Sequence, residues 1–226
     1  MILDPARTAL ILIDLQDNSR EASAWPVEGY SKVVHNAGRL LAAARGSGIA
    51  PCHVALNYDP SAYDRGPAEM RAAPPADMSD MADPISDEVA PEGEEAVFLK
   101  AYRSAFFGTR LSTHLRTTGI DTLVIAGVWT DACIFATVIE AIRDGYRVVL
   151  VEDACGSGTS AMHEVAIVNL ANRLYNGAVV STDGAIASIV HQIPVCGWKY
   201  TKPIEFAYDL NSLAESYRTI AAASRR

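Results

Sequence analysis

Hydrophobic residues in this chain fall into short, nearly unbroken runs, separated by stretches in which they recur every three to four positions. The runs "TALILID" (8–14), "IAPCHVALN" (49–57), "AVFLKA" (96–101), "DTLVIAGV" (121–128), "RVVLVED" (147–153) and "GAVVS" (177–181) read as strands covered on both faces, because a half-exposed strand would alternate apolar and polar residues. Pro51 restricts the first residues of the second run. Between the runs, helical spacing predicts helices over roughly 28–47, with Val33, Ala37, Leu40, Leu41 and Ala44 on one side, near 109–118, from Cys133 onward, and over about 159–175. Strands alternating with helices of these lengths predict an α/β protein. The expected architecture is a three-layer αβα, Rossmann-like arrangement around a mostly parallel, doubly wound sheet with right-handed crossovers. In such sheets ligands bind beyond the carboxyl ends of the strands.

Length and composition narrow the class. The chain has 226 residues, half of them hydrophobic, enough for one domain with a core that needs no staples. No window approaches 18 uninterrupted apolar residues, and the run near the start has acidic residues on both sides. The expectation is therefore a cytoplasmic protein with no membrane partner. Cys52, Cys133, Cys155 and Cys196 show no CxxC and no zinc-like spacing to histidines, and read as reduced thiols. The net charge is −8, yet residues 59–95 alone hold eleven acidic residues against Arg65 and Arg71. The acidity thus belongs to one Pro-rich insert, read as a functional loop or a solvated one. No basic stripe suggests nucleic acid. Residues 1–193 are expected to form the domain. Residues 194–226 form an extension whose Trp198, Tyr200, Phe206 and Tyr208 pack on it or on a neighbouring subunit of a dimer or tetramer.

Candidate chemistry comes from what the strand ends carry. The first run ends in Asp14 with Gln16 two residues on, the third reaches Lys100, and the fourth runs through Val128, Trp129 and Thr130 to Cys133. An acid, a base and a thiol are thereby delivered to one edge of the sheet. A charged residue closing a buried strand needs a partner or water, and these three can serve one another. A thiol where a helix opens meets unpaired N–H groups and the positive end of the dipole, which favour a thiolate.

The segments "ALILIDLQD", "FLKAYRSAFFGTRL" and "GVWTDACIFATVIEAIRDGYRVVLVEDA" together resemble the cysteine hydrolases of the isochorismatase-like superfamily, over about residues 8–190. The resemblance implies an Asp-Lys-Cys triad, falling on Asp14, Lys100 and Cys133, and a non-proline cis peptide between Val128 and Trp129 that turns the Trp129 N–H toward the substrate. Chemistry then assigns roles: Cys133 attacks a carbonyl carbon, Asp14 takes the thiol proton and returns it to the leaving amine, and Lys100 holds the charges. The N–H groups of Trp129 and Cys133 meet the oxyanion.

Nicotinamidases of this superfamily place closely spaced Asp and His metal ligands after the second strand. Here only His53 stands in that strand, so no metal and no other cofactor is expected. Vinyl-ether-cleaving isochorismatases lack the nucleophilic cysteine, and Cys133 argues against that reaction. The segment "KAYRSAFFGT" is most similar to the branch that hydrolyses N-carbamoyl compounds such as N-carbamoylsarcosine, ureidoacrylate, biuret or triuret. The expected partner is accordingly a small linear amide, cleaved through a thioacyl-enzyme. Maleamate or nicotinamide types, a binding protein on the same fold, and an aspartate-dependent phosphatase stand as alternatives. Gln16, Asn57, Tyr102, Arg103, Phe107 and Trp129 are candidates to line the pocket, with Phe106 beside them. Arg103 and Arg20 are candidates for a substrate carboxylate.

Overall fold

All six apolar runs join one sheet in the computed structural model, which describes residues 1–23, 25–57, 83–201 and 208–225. Strands β1 (Thr8–Ile13), β2 (Ala50–Leu56), β3 (Ala96–Lys100), β4 (Thr122–Val128), β5 (Arg147–Gly156) and β6 (Ala178–Val180) lie in the order β3-β2-β1-β4-β5-β6. Every neighbouring pair is parallel. The chain works outward from β1 to β3, crosses back, and works outward again from β4. The order therefore reverses between β1 and β4, where a doubly wound sheet opens a crevice.

The runs are unbroken because each strand feeds two cores. Successive side chains point to opposite faces. Ile11, Ile13, Val54, Leu123, Ile125 and Leu150 belong to one buried cluster, and Leu10, Leu12, Val124, Ala126, Val149 and Val151 to the other. On the second face lies α1 (Tyr30–Ser47), burying Val33, Ala37, Leu40, Leu41 and Ala44 as its spacing predicts, together with α5 (Thr182–His191). The first face is covered by α2 (Leu111–Thr117), α3 (Phe135–Arg143), α4 (Ser160–Ala171) and α6 (Leu213–Ser224). Thr159 and Ser181 cap α4 and α5 by accepting from the Met162 and Gly184 N–H groups, which satisfies donors a helix start leaves open.

Three features depart from the sequence reading. Strand β5 runs on to Gly156, because its register against β4 shifts between Ile125 and Gly127 and resumes with Gly127 opposite Cys155. Helix α5 has no sequence counterpart above, since Gly184, Ala185, Ala187 and Ser188 blur its apolar face. Helix α6 lies in the C-terminal extension and packs on α4 and β6, with Ile220, Ala221 and Ser224 buried. Phe206 lies outside the described residues.

The acidic insert divides likewise. Residues 58–82 lie outside the described residues, but 83–95 belong to the fold. Ile85 bridges to Gln16, Val89 is fully buried, and Glu88 and Glu95 pair with Arg20 and Arg45.

Where β1 meets β4, the approach is very close. Gly127 has φ +133, and a Cβ there would sit 2.1 Å from the carbonyl oxygen of Ile13. Only glycine lets the two strands that flank the crevice lie this near.

Candidate active site

The residue after β1 turns the chain out of the sheet. Asp14 takes φ +53, a left-handed conformation in which non-glycine residues are uncommon and Asp is among the better tolerated. Its N–H still bonds to Val54 O at 2.8 Å, so the carboxylate is fixed at the sheet edge. Lys100 ends β3, two strands away, and its long side chain crosses the end of β2 to bring Nζ within 2.8 Å of Asp14 Oδ2. The same nitrogen donates to the Tyr102 carbonyl at 3.0 Å and to Cys133 Sγ at 3.3 Å. The ammonium thus makes one ion pair and two hydrogen bonds. Lys100 is 1 % exposed and Asp14 6 %, a buried ion pair that touches the thiol.

Strand β4 supplies the third group through an irregular turn. The Val128–Trp129 peptide is cis. Residues Thr130–Ile134 then form one wide π-type turn before α3 begins at Phe135. Ala132 and Ile134 both donate to the Trp129 carbonyl, with Cys133 between them. Cys133 therefore sits in a π turn, where the sequence reading placed the first turn of a regular helix. Such turns recur at functional sites because they re-aim one side chain without ending the helix.

Charge states follow from burial and neighbours. Burial pushes the Asp14 carboxyl up, against the pull of Lys100 and Cys133. Burial pulls the Lys100 ammonium down, but Asp14 and Cys133 outweigh it and hold it above the usual lysine range. Burial, reinforced by Asp14 and opposed by Lys100, pushes the Cys133 thiol up to about 12. Cys133 is accordingly a neutral thiol at rest, and the 2.8 Å contact between Asp14 and Lys100 is that of a carboxylate with an ammonium. The shift runs opposite to the thiolate expected at a helix end, because desolvation and a neighbouring anion push the thiol up.

Asp14 and Cys133 border a cavity of about 320 Å³, with Tyr102, Arg103 and Trp129 also in its wall. Gln16 also lies in the wall, but its amide is fully engaged. It donates to Leu56 O at 3.2 Å and Asp83 O at 2.7 Å, and accepts from Leu56 N at 2.7 Å. Its geometry is that of a clamp holding β2 and the 83–86 segment. Gln16→Ala is expected to cost about 1–3 kcal/mol, since it strands buried backbone groups, read as a lower urea midpoint at unchanged slope.

Asn57 and Phe107 are not among the residues of the cavity wall, and this corrects the sequence reading. Asn57 lies past the end of β2, with its N–H on Lys100 O. Phe107 packs beside Tyr102, and Phe106 stacks on Tyr146 in the core. Arg20 is committed to Asp17 and Glu88. Arg103 has no acidic partner among the described residues and lies over the Tyr102 ring. Trp25, Met162 and Asp131 also border the cavity. Sequence reasoning missed them as wall residues, because their positions depend on how loops fold over the sheet edge. His53 bonds to Glu95 at 2.9 Å inside β2. Among the described residues no three His, Cys, Asp or Glu side chains group as metal ligands.

Comparison with known proteins agrees with this architecture. An isochorismatase domain model matches residues 8–184. Maleamate amidohydrolase of Pseudomonas putida is 32% identical over 191 residues, covering 82% of this chain and 88% of that protein. N-carbamoylsarcosine amidase of an Arthrobacter species is 31% identical over 198 residues, covering 80% of this chain and 70% of its own. A solved cysteine hydrolase from Pseudomonas syringae superposes with a TM-score of 0.73 at 22% identity, over 85% of this chain and 97% of that one, a likeness of fold.

Proposed function

Because the chain belongs to the isochorismatase family, we propose that it is a cysteine amidohydrolase that cleaves a C–N bond of a small linear amide of carbamoyl or ureido type without a metal. One observation carries the reading: a buried Lys100 ammonium joins Asp14 at 2.8 Å and Cys133 Sγ at 3.3 Å at the wall of a small cavity.

The residues divide the work by their charge states. As Cys133 Sγ bonds to the substrate carbonyl carbon, its proton passes to Asp14, a carboxylate that burial has made more basic. The carbonyl oxygen takes the negative charge and is met by the N–H groups of Trp129 and Cys133. The C–N bond breaks when Asp14 returns the proton to the departing nitrogen, leaving a thioester and ammonia or an amine. Water then attacks the thioester, Asp14 again takes the proton, and the acid product leaves with the thiol restored. Lys100 stays protonated throughout and keeps a positive charge beside whichever partner is anionic.

The pH profile follows from the same charges. Since Asp14 titrates above the usual carboxylate range, activity is present above that raised value and lost as pH falls through it. The acid limb of kcat/KM therefore lies higher than for an exposed aspartate. Lys100 is held above the usual lysine range, so no basic limb arises from it below that range. An acid limb at an ordinary carboxylate value would contradict Asp14 as the base.

Arg103 favours substrates that carry a carboxylate, because it borders the cavity and no acid pairs with it among the described residues. This supports reading N-carbamoyl and ureido acids as substrates ahead of biuret and triuret. A maleamate-type amide is the second reading, since it too pairs an amide with a carboxylate and a relative named for that activity is 32% identical. Ammonia release is measured from N-carbamoylsarcosine, ureidoacrylate, maleamate, biuret, triuret and nicotinamide, with EDTA present. Turnover of one acid-bearing amide is expected. Arg103→Ala should raise its KM about 10- to 100-fold, the worth of a charge-assisted contact. Turnover that EDTA abolishes would overturn the metal-free mechanism.

A further inference from the structure

Helix α6 lies beyond residue 184, outside the span the family model matches, yet it connects to the turn that carries Cys133. Thr130 opens that turn and is fully buried. Its hydroxyl has a single hydrogen, given to Gly156 O at 3.0 Å. His163, near the start of α4, brings Nδ1 within 2.8 Å of the same oxygen. With the hydroxyl hydrogen already placed, Nδ1 must carry the proton and donate it.

Burial pushes the imidazole down to about 4, against Asp131 and Asp153. The ring is neutral near pH 7 and its Nε2 is bare. Tyr217 of α6 occupies that side. Its hydroxyl is 3.5 Å from Nε2 and 3.0 Å from Glu152 Oε2, and its ring meets the imidazole edge-on at 5.8 Å. Glu152, 1 % exposed, also accepts from Ser224 Oγ at 3.3 Å and Arg225 at 3.4 Å. A chain of contacts thus runs from the C-terminal helix to Thr130: Tyr217 gives its hydroxyl hydrogen to the buried Glu152 and packs its ring edge-on against the half-buried His163, which donates to the buried Thr130. It ends one residue from the Trp129 N–H and three from the thiol. The preceding residue on α4, Met162, is in the cavity wall, so whatever seats α4 seats both the wall and the turn.

We propose that His163 is a positioning residue for the nucleophile turn, and that α6, through Tyr217, fixes its ring and makes the C-terminal extension part of the active machinery. A ring held by a hydrogen bond on one side and an edge-on aromatic contact on the other is restricted to one seating, and a displacement of about 1 Å at a reacting centre can cost about 10²-fold in rate. The kinetic arm of this inference rests on the amidohydrolase reading; a second arm, the reactivity of Cys133, does not.

The test uses the full chain with His163→Leu, His163→Asn and Tyr217→Phe, each checked for an unchanged melting temperature. His163→Leu is expected to lower kcat about 10²-fold with KM within about threefold. It should also slow iodoacetamide labelling of Cys133 relative to the exposed Cys196. His163→Asn, whose amide N–H stands in for Nδ1–H, is expected to restore most of both. Tyr217→Phe should lower kcat by a smaller factor without loss of fold.

Equal defects in the Leu and Asn variants, or wild-type kcat and labelling in the Leu variant, would overturn the proposal. If the Leu variant fails to fold, Tyr217→Phe decides: reduced kcat or slower labelling at unchanged melting temperature supports it, and wild-type behaviour in both overturns it. If the wild type cleaves nothing in the panel, the amidohydrolase reading fails alone and the labelling ratios decide this one.

Discussion

Replacing Cys133 by alanine or serine lowers kcat/KM for the cleaved amide by about 10⁴-fold or more, with the fold intact. The magnitude follows from the position of the thiol, which borders the cavity and accepts from the Lys100 ammonium at 3.3 Å. Serine keeps nearly the same shape but presents a harder oxygen whose proton Asp14 removes far less readily. Alanine leaves only binding and the backbone donors. Asp14→Asn should reach a similar loss, and the double variant should be no worse than either single one, because the two residues act in one proton transfer and their effects do not add. The check is a set of rates on the purified variants with far-UV dichroism alongside. Activity of Cys133→Ala within tenfold of wild type, well short of the loss argued above, would remove the thioester from the mechanism.

The parts of this site that lie on strands were legible in the sequence. A buried parallel strand announces itself by an unbroken apolar run, and the polar residue that closes it marks the sheet edge. Asp14, Lys100 and the approach to Cys133 could therefore be assigned to one edge before any coordinates. What the sequence did not carry was set by long-range geometry. The π turn around Cys133 has the composition of an ordinary helix start. The sign of the thiol's shift depends on how closely Asp14 and Lys100 surround it, and local helix physics pointed the other way. Gln16 stands in a motif that suggests substrate contact, yet its amide is spent on Leu56 and Asp83, which lie 40 and 67 residues away. Helix α6 was unreadable for a related reason. Its buried face is Ile220, Ala221 and Ser224, small residues with little periodic signal, and its importance lies in contacts to Glu152 and His163 that no local pattern announces.

Lys100→Met is the variant that separates the structural from the chemical role of the ion pair. Removing the ammonium leaves the Asp14 carboxylate buried at 6 % exposure without its counter-charge, and breaking a buried pair from one side costs about 3–5 kcal/mol. Urea unfolding near neutral pH should show that loss. Without Lys100, burial of Asp14 is opposed only by the hydrogen bond with Cys133, so the folded state binds its proton more tightly than the unfolded state does. Folded-state proton uptake then makes the variant more stable as pH falls, down to the unfolded carboxylate range, and less stable as pH rises. Asp14→Asn combined with Lys100→Met removes both charges and should recover most of the stability while staying inactive. Recovery in the double variant would show that the pair is retained for chemistry, at no net gain to the fold. Losses that simply add would mean that Asp14 and Lys100 are not energetically coupled, and the assignment of Lys100 as the charge that holds Asp14 ionised beside the thiol would fall with them.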